Sequence, residues 1–402
     1  MSDSESYSSS TSSTSNSDQS TENMKKYKPG GYAPVSIGEV LNARYRIIKK
    51  IGFGEFSTVF LCYDYNDTQN FKALKIAKSS KTFTEAAEDE RNILSNINSK
   101  YCCKLHNSFT YTSPFGEHIT LVFDIYGESL YSVMREYRHN GIPIKCVKSI
   151  TIDLLKGLID CLECNIINTD IKPENILIRS PTKEISNIIK KYVPPNIGDV
   201  IVNIPVTTKK KKRKKYDEDE CSEENDEDFE KRISNVLFTD FGNGCSTEDP
   251  YKDYICTLPY RPPENIITKK FTASADVWSL GCTIYEMLTG SVLFDPDVYE
   301  TGDKREVSDT HLASVIEITG GNPTIYKDGK RYNEYCRPDG TLRFIRNLKN
   351  ISLKNKISSK IDISKRDAEK WANFIIYMLN FDHKERPTPQ NIYDKYIDWL
   401  SS

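Results

Sequence analysis

Residues 167–175 read Ile-Asn-Thr-Asp-Ile-Lys-Pro-Glu-Asn and form the most specific chemical pattern in the chain. Asp170 is placed to accept the proton of a substrate hydroxyl, and Lys172 can neutralise charge on a phosphoryl group in transfer. Asn175 follows at a position that suits a ligand of a metal ion. Because phosphoryl transfer has a loose transition state, its catalysis needs positioned charges more than a covalent nucleophile. The pattern therefore predicts a phosphotransfer site with Asp170 and Lys172 as catalytic residues.

A second acidic motif, Asp240-Phe241-Gly242, lies downstream of this stretch. Its carboxylate suits Mg²⁺, a hard ion that prefers oxygen ligands. We therefore expect Asn175 and Asp240 to hold the metal ion.

A glycine-containing segment lies upstream, between two predicted strands. Gly52 and Gly54 lack a Cβ, so the backbone can approach a polyphosphate and present N–H groups to it. The pattern alone is weak, because such turns are common in hairpins and Ser57 stands at the usual place of a third glycine. The predicted ATP-binding segment comprises Ile51, Gly52, Phe53, Gly54, Glu55, Phe56, Ser57, Thr58 and Val59.

A lysine and a glutamate follow in order. Lys75 lies on the third predicted strand, where a lysine can pair with the α- and β-phosphates of ATP. Glu90 lies in a predicted helix that opens with residues 82–85, Thr-Phe-Thr-Glu, a pattern typical of a capping box. The glutamate can hold the lysine ammonium as an ion pair. Both could equally be surface charges, but the order of glycine segment, strand lysine and helix glutamate favours the functional interpretation.

Taken together, these elements resemble the eukaryotic protein kinases over about residues 45–400. The resemblance implies an α+β, bilobal protein kinase fold. A small β-rich N-lobe (45–124) would contain one main helix, and a larger α-helical C-lobe (128–400) would follow. The resemblance also implies that ATP and Mg²⁺ bind in the cleft between the lobes.

The kinase resemblance assigns further residues. Phe123 would guard the back of the nucleotide pocket, and Asp124 to Tyr126 would form the hinge that contacts adenine. Pro263-Glu264 stands where Ala-Pro-Glu closes the activation segment of the family, and Glu264 would form an ion pair with Arg386.

The segment before the first long strand narrows the resemblance. Residues 30–38 read Gly-Gly-Tyr-Ala-Pro-Val-Ser-Ile-Gly, which is similar to the leader of the SR-protein kinases (SRPK). Residues 24–44 would then be a leader segment that packs on the N-lobe. Lys172 and Thr257 resemble serine/threonine rather than tyrosine kinases. The resemblance implies transfer of the γ-phosphate of ATP to serines in Arg/Ser-rich proteins such as splicing factors.

A basic substrate favours acidic side chains near the site that binds it. Asp309, Glu317 and Glu334 are candidates for docking such a substrate. Each could equally be a solvated surface charge.

The chain departs from the family pattern in its catalytic loop. Asn168 stands where the family has a histidine, which orients the loop and transfers no proton. Thr169 replaces the arginine that pairs with an activation-segment phosphate in many kinases, and the segment 240–264 is short. These departures predict a constitutively active kinase that needs no phosphorylation of its activation segment.

Two stretches of the chain have a different composition. Residues 1–23 are almost wholly polar and rich in serine, so we expect a disordered tail. Residues 180–234 form a charged insert in the kinase domain, with a basic run at 209–215 and an acidic run at 217–230. The insert could be a solvated, self-neutralising loop, or its basic run could also serve nuclear import or partner docking.

Composition excludes several classes of protein. Lys+Arg 55 against Asp+Glu 57 gives a net charge of −2, which excludes an overall basic coat for nucleic acid. No run approaches the roughly 18 apolar residues of a membrane span, and the N-terminus lacks the apolar core of a secretory signal. The 11 cysteines are scattered as reduced thiols are, and a zinc site at the single CxxC, Cys161 to Cys164, lacks a second ligand pair. We expect a soluble monomer of the cytoplasm and nucleus, with no membrane or direct nucleic-acid partner.

Two other functions stay open. The chain could be a related CDC-like kinase with other substrates. It could also be a nucleotide-binding pseudokinase scaffold, a reading suggested by Ser57 and Asn168. The presence of Lys75, Asp170, Asn175 and Asp240 disfavours the scaffold.

Overall fold

A six-stranded antiparallel sheet forms the N-lobe. The computed structural model describes residues 24–67, 70–195, 226–248, 255–295 and 304–402. The strands of the sheet are β1 (Val40–Leu41), β2 (Tyr45–Phe53), β3 (Ser57–Asp64), β4 (Phe71–Ala77), β5 (Leu105–Ser113) and β6 (Gly116–Phe123). Their order across the sheet is β1-β2-β3-β4-β6-β5. Aromatic and β-branched residues recur in these strands, as expected where one face of a sheet covers a core.

The main helix of the N-lobe is α1 (Lys81–Asn96), and it buries Ala87, Glu90 and Leu94. The expected capping box at residues 82–85 is wrong, because the helix begins at Lys81 after Ser80, whose side chain makes no cap hydrogen bond. The backbone N–H of Ser80 instead donates to the carbonyl of Gly30 at 3.1 Å. A contact distant in sequence, rather than a local side chain, therefore fixes the approach to the helix.

The C-lobe is mainly helical. Residues of α3 at helical spacing, Val147, Ile150, Leu154 and Leu158, form one buried stripe, whereas α7 is buried along nearly its whole length. The helices are α2 (Leu130–Glu136), α3 (Ile144–Glu163), α4 (Lys183–Lys191), α5 (Asp226–Ile233), α6 (Pro263–Thr268), α7 (Ser274–Thr289), α8 (Lys304–Thr319), α9 (Tyr332–Tyr335), α10 (Leu353–Ser358), α11 (Lys365–Met378) and α12 (Pro389–Ser401).

Two short antiparallel sheets position the loops of the cleft. β7 (Ile166–Ile167) pairs with β10 (Cys245–Ser246), and β8 (Ile176–Ile178) pairs with β9 (Val236–Phe238). The loop 168–175 lies between β7 and β8, and the loop 239–244 lies between β9 and β10. Because the strands are paired at both ends, the two loops lie side by side.

The leader segment 24–44 contacts the N-lobe closely. Tyr32 and Ala33 are buried in it. A Cβ on Gly31 would lie 2.0 Å from the carbonyl oxygen of Lys26, so only glycine fits this tight turn.

Both described ends of the insert are helical, unlike the loop expected there. The first end, α4, is capped by the hydroxyl of Thr182 and leads to Tyr192, whose ring lies 5.8 Å from the rings of Tyr63 and Phe71 on the N-lobe sheet. The other end, α5, packs on the C-lobe, where Arg232 lies 2.8 Å from Glu128. The basic run 209–215 and the tail 1–23 lie outside the described residues.

The architecture confirms the predicted α+β fold with a β-rich N-lobe and a helical C-lobe. None of the helices in the described parts of the chain has the length and apolar character that crossing a membrane requires.

Candidate active site

A lysine and two carboxylates meet at the cleft edge of the N-lobe. Lys75 Nζ lies 2.7 Å from Glu90 Oε2 and 2.9 Å from Asp240 Oδ1. Burial alone lowers the pKa of Lys75, but the neighbouring carboxylates of Asp240 and Glu90 outweigh it and raise the pKa overall. The ammonium of Lys75 lowers the pKa of Asp240. Burial raises the pKa of Glu90, although the ammonium of Lys75 acts against this shift. The structure thus brings together three ionisable residues that are far apart in sequence.

Local structure explains this arrangement. Asp240 adopts a left-handed backbone with φ of 60°, which turns the chain sharply before Phe241. Phe241 is fully buried, and a Cβ on Gly242 would lie only 3.4 Å from the carbonyl of Ala86 in α1. The turn that carries Asp240 therefore packs directly beneath the helix that carries Glu90.

Asp170 is surrounded by hydrogen-bond donors. Lys172 Nζ lies 2.8 Å from Asp170 Oδ2, and Asn175 Nδ2 donates to the same oxygen at 3.0 Å. On the other oxygen, Oδ1, the hydroxyl of Thr257 donates at 3.0 Å. Lys172 also donates to the Thr257 hydroxyl at 2.8 Å. The carboxylate is fixed in place by three side chains and faces the segment that receives a substrate.

The backbone of the catalytic loop is held by a buried aspartate of α7. Asp276 accepts the N–H groups of Asn168 and Thr169 at 2.7 and 2.9 Å. Burial raises the pKa of Asp276 to about 7, against the two hydrogen bonds, which lower it. Thr169 has φ of 68°, an unusual value for a β-branched residue. Its hydroxyl donates to the carbonyl of Asn243 at 2.6 Å, so hydrogen bonds to its backbone and side chain maintain the strained conformation.

Asn168, which stands where the family has a histidine, helps to orient the catalytic loop. Its Oδ1 accepts the backbone N–H of Asp170 at 3.1 Å, which orders the loop just before the catalytic carboxylate. Its Nδ2 is buried without a hydrogen-bond partner. A buried unsatisfied donor costs about 1–3 kcal/mol, so the substitution keeps the orientation at some cost in stability.

The glycine-containing segment forms the turn between β2 and β3. Val59 is paired with Lys75 across the sheet, and Gly52 is paired with Val59. Phe53 and Phe56 are about half exposed at the tip. The rest of the predicted segment also lies in or beside this turn, comprising Ile51, Gly54, Glu55, Ser57 and Thr58, of which Ser57 and Thr58 are buried.

The predicted hinge follows β6. Phe123 is buried at the end of that strand. Asp124 Oδ1 lies 2.6 Å from His106 Nε2 and 3.3 Å from Lys72 Nζ, and the hydroxyl of Tyr126 accepts the N–H of Lys104 at 2.9 Å. Because both side chains are engaged within the protein, only the hinge backbone is left for adenine, and its contact with a nucleotide stays a prediction.

Asn175 and Asp240 fit Mg²⁺ through their oxygens. Asn175 uses its Nδ2 as a donor to Asp170, which leaves its Oδ1 for a metal, and one Asp240 oxygen faces Lys75. In the described parts of the chain no group of three or more His, Cys, Asp or Glu residues could hold a metal ion by itself. Mg²⁺ usually binds through one or two protein ligands together with substrate phosphates, so the two oxygens of Asn175 and Asp240 are a sufficient protein contribution.

The expected ion pair in the C-lobe is bidentate and buried. Arg386 donates to both oxygens of Glu264 at 2.8 and 3.0 Å. Nearby, Tyr260 donates to Glu286 Oε2 at 2.5 Å. Burial raises the pKa of Glu286 to about 7, while the tyrosine hydrogen bond lowers it. These contacts join the end of the activation segment to α7.

The docking candidates lie in different environments. Asp309 is 5% exposed within α8. Glu317 accepts the backbone N–H of Lys349 at 2.9 Å, and Glu334 pairs with Arg331 at 2.9 Å while its side chain stays half exposed. Asp309 is therefore buried and not a solvated surface charge, and substrate docking by the three residues stays a prediction.

Two contributors to the site were missed as site residues. Thr257 was read only as a mark of serine/threonine kinases, yet it bonds to both Asp170 and Lys172. Asp276 was not predicted as a site residue, because it bonds to the catalytic loop from more than a hundred positions away. The motif Asp-Val-Trp-Ser at 276–279 was the available signal.

Comparison with known proteins agrees with this geometry. A family model described as Protein kinase domain matches residues 45–190 and 227–397. A solved crystal structure of a kinase domain is similar at a TM-score of 0.66 and 26% identity, covering 90% of this chain and 97% of that chain.

Curated relatives narrow the family. A serine/threonine-protein kinase SRPK of Physarum polycephalum is 34% identical over 93% of this chain and 90% of its own length. SRSF protein kinase 3 of Homo sapiens is 25% identical over 92% of this chain and 88% of its own length. A probable serine/threonine-protein kinase, clkA of Dictyostelium discoideum, is 30% identical over 81% of this chain but only 32% of its own length. The chain belongs to the SRPK family of serine/threonine protein kinases.

Proposed function

We propose that this kinase phosphorylates serines in Arg/Ser-rich proteins, such as splicing factors, and that it acts without phosphorylation of its activation segment. The observation that carries the proposal is the arrangement of Asp170, Lys172 and Thr257 in a chain of the SRPK family. The name of the human relative, SRSF protein kinase 3, supports the substrate class.

The chain's own residues perform definable steps. The hydroxyl oxygen of the substrate serine attacks the γ-phosphorus of ATP, the bond from that phosphorus to the β-γ bridging oxygen breaks, and ADP leaves. Asp170 accepts the serine proton, and Lys172 stabilises the charge that spreads over the transferred group. Lys75 orients the α- and β-phosphates, and Glu90 holds Lys75. Mg²⁺, held by Asn175 and Asp240, neutralises phosphate charge when it is bound.

Contacts made without a phosphate support activity without activating phosphorylation. The carbonyl of Thr169 accepts the N–H of Cys256 at 2.9 Å, which holds the described end of the activation segment against the catalytic loop. Within that segment, Arg261 donates to the carbonyls of Ile255 and Cys256 and fixes its conformation. Because no phosphate is needed to make them, the kinase should be active as synthesised.

Other parts of the proposal follow from sequence. We propose a monomer of the cytoplasm and nucleus whose partners are Arg/Ser-rich proteins and include neither nucleic acid nor membrane. The clkA relative favours a second candidate, a CDC-like kinase with other substrates. A pseudokinase is disfavoured because Lys75, Asp170, Asn175 and Asp240 are all in place.

A peptide assay tests the proposal. Purified protein, before and after phosphatase treatment, is incubated with Mg-ATP and either an Arg/Ser-repeat peptide or a Ser-Pro peptide of equal length. We expect transfer to the Arg/Ser repeat, little change on phosphatase treatment, and a loss of about 10²–10⁴-fold in the variant Asp170→Ala, since a general base contributes that much.

The outcomes separate the alternatives. Preference for the Ser-Pro peptide would keep the kinase but reject its substrate class. Loss of nearly all activity after phosphatase treatment would reject constitutive activity. Absence of Asp170-dependent transfer to any peptide, with Mg-ATP still bound, would favour the scaffold.

A further inference from the structure

The leader segment reaches the glycine-containing turn through one side chain. Tyr32 is 1% exposed, and its hydroxyl donates to the carbonyl oxygen of Gly54 at the tip of the β2–β3 turn. The contact joins residues from outside the two-lobed core to the backbone that would cover the phosphates of a nucleotide.

Two lysines hold the ring of Tyr32 in place. The ammonium of Lys78 lies 4.8 Å from the ring centroid, and that of Lys50 lies 5.8 Å from it. Lys78 is 8% exposed, and its ammonium also lies 4.7 Å from the ring of Phe83 in α1. The ring of Tyr32 is therefore held by cation–π contacts as well as by burial.

The same region touches the turn a second time. The backbone N–H of Lys78 donates to the carbonyl of Phe56 at 3.0 Å. Two carbonyls at the tip of the turn thus accept hydrogen bonds from this region. The Gly54 carbonyl accepts from Tyr32, and the Phe56 carbonyl accepts from Lys78, which also contacts the Tyr32 ring.

The leader also touches the helix that carries Glu90. The N–H groups of Ser79 and Ser80, just before α1, donate to the carbonyls of Gly31 and Gly30 at 3.2 and 3.1 Å. A single turn of the leader therefore contacts both the glycine-containing segment and the start of α1. These two elements supply the phosphate contacts and the ion pair of the site.

We propose that Tyr32 is a positioning residue for nucleotide binding, which limits the conformations of the glycine-containing turn before ATP arrives. Glycine-rich backbone loses more conformational entropy on ordering than other backbone. A turn that is already restrained by the Tyr32 hydroxyl loses less of it on binding, so the nucleotide binds more tightly. The inference rests on the use of ATP in the proposed function but not on the class of protein substrate.

The test compares two substitutions that each remove one tyrosine hydroxyl linking the leader to the rest of the N-lobe. Tyr32→Phe deletes the bond to Gly54 and keeps the ring with its lysine contacts. Tyr111→Phe is the matched control, because the Tyr111 hydroxyl donates to the carboxylate of Glu39 in the leader at 2.9 Å. The readouts are the Kd of Mg-ADP by calorimetry, the KM for ATP, the KM for the peptide, and the thermal unfolding midpoint.

We expect Tyr32→Phe to raise the Kd of Mg-ADP and the KM for ATP by about 3–10-fold, the range for loss of one hydrogen bond. The peptide KM should change by less than about 2-fold, and Tyr111→Phe should change each constant by less than about 2-fold. An unchanged Kd in Tyr32→Phe would overturn the proposal. Equal effects of the two variants, or a parallel loss of stability and of every kinetic constant, would also overturn it. Because Mg-ADP binding needs no peptide, this result is separate from any failure of the proposed substrate class.

Discussion

Two buried ionic groups in this kinase have similar chemistry and opposite surroundings. In the cleft, Lys75 contacts both Glu90 and Asp240, and the side chains of Lys75 and Asp240 are 19% and 34% exposed. In the C-lobe, Arg386 and Glu264 form a bidentate pair in which neither side chain is more than 2% exposed. Arg386 also donates to the carbonyls of Ser274 and Asn380.

The difference in exposure separates an ionic group with a role in catalysis from an ion pair with a role in stability. In the cleft, Lys75 pairs with two carboxylates. It can therefore give up one of these contacts to bind a phosphate and still keep an ion pair with the other. The C-lobe pair has one anion for one cation, with the remaining donors used by carbonyls. Because this pair is buried away from water, removing one partner would leave the other as an uncompensated charge in the core.

Breaking the C-lobe pair should give the largest effect on stability. Glu264→Ala leaves the Arg386 guanidinium buried without its carboxylate, and we expect the free energy of unfolding to fall by about 3–5 kcal/mol. Urea denaturation followed by circular dichroism measures the change. Glu369→Ala is the matched control, since Glu369 makes an exposed pair with Lys354 at the same 2.8 Å distance. A similar midpoint shift in both variants would show that burial does not distinguish the pairs.

Breaking the cleft group should act on catalysis instead. In Lys75→Met the α- and β-phosphates lose their cation, so we expect kcat/KM to fall by about 10²–10³-fold. The unfolding free energy should fall by less than in Glu264→Ala for two reasons. The carboxylate of Asp240 reaches solvent, and the buried carboxylate of Glu90, whose pKa burial raises, can take up a proton when its cation is removed. Peptide kinetics and the same denaturation curves measure both. If Lys75→Met unfolds as easily as Glu264→Ala, the cleft group is structural and the contrast fails.

A third buried carboxylate sharpens the comparison, because its partner is a neutral hydroxyl. Burial raises the pKa of Glu286 from 4.5 to about 7, so the folded protein binds a proton that the unfolded chain releases between these values. Stability from this group is therefore present at low pH and is lost as pH rises through about 7. The shift corresponds to at most about 3 kcal/mol.

The variant Glu286→Gln removes this titration while keeping an acceptor for Tyr260. Its unfolding midpoint relative to the unmodified protein should rise from pH 5 to about pH 7 and level off by pH 8. Thermal unfolding followed at intervals over that range is the measurement. A difference that is constant with pH would mean that Glu286 stays ionised throughout.

Much of the site was predictable because its chemistry restricts each position to one or two residue types. The loop with Asp170, Lys172 and Asn175 is continuous in sequence, and the two-lobed order of strands and helices follows from periodicity and from the kinase resemblance. Lys75 and Glu90 were predicted because a strand lysine and a helix glutamate follow the glycine-containing segment in that order. Their separation in sequence alone would not have predicted the ion pair.

Other features depend on contacts that sequence patterns do not encode. The start of α1 is set by the carbonyl of Gly30 in the leader, so a local capping pattern misplaced it. Asp309 looked like a surface charge, but tertiary packing of α8 buries it. The hydrogen bond from Tyr32 ends on the backbone oxygen of Gly54. Because every residue has such an oxygen, the sequence cannot show which one a side chain will bind.

The insert changes the connectivity between the lobes. The polypeptide passes from the N-lobe to the C-lobe at the hinge. From the C-lobe it reaches back when Tyr192, just after α4, packs on the N-lobe sheet. The hydroxyl of Tyr65 donates to the carbonyl of Pro195, so this second contact is held beyond Tyr192 as well. Cutting the backbone at the hinge alone would therefore leave a C-terminal fragment that still holds the N-lobe sheet by packing and a hydrogen bond.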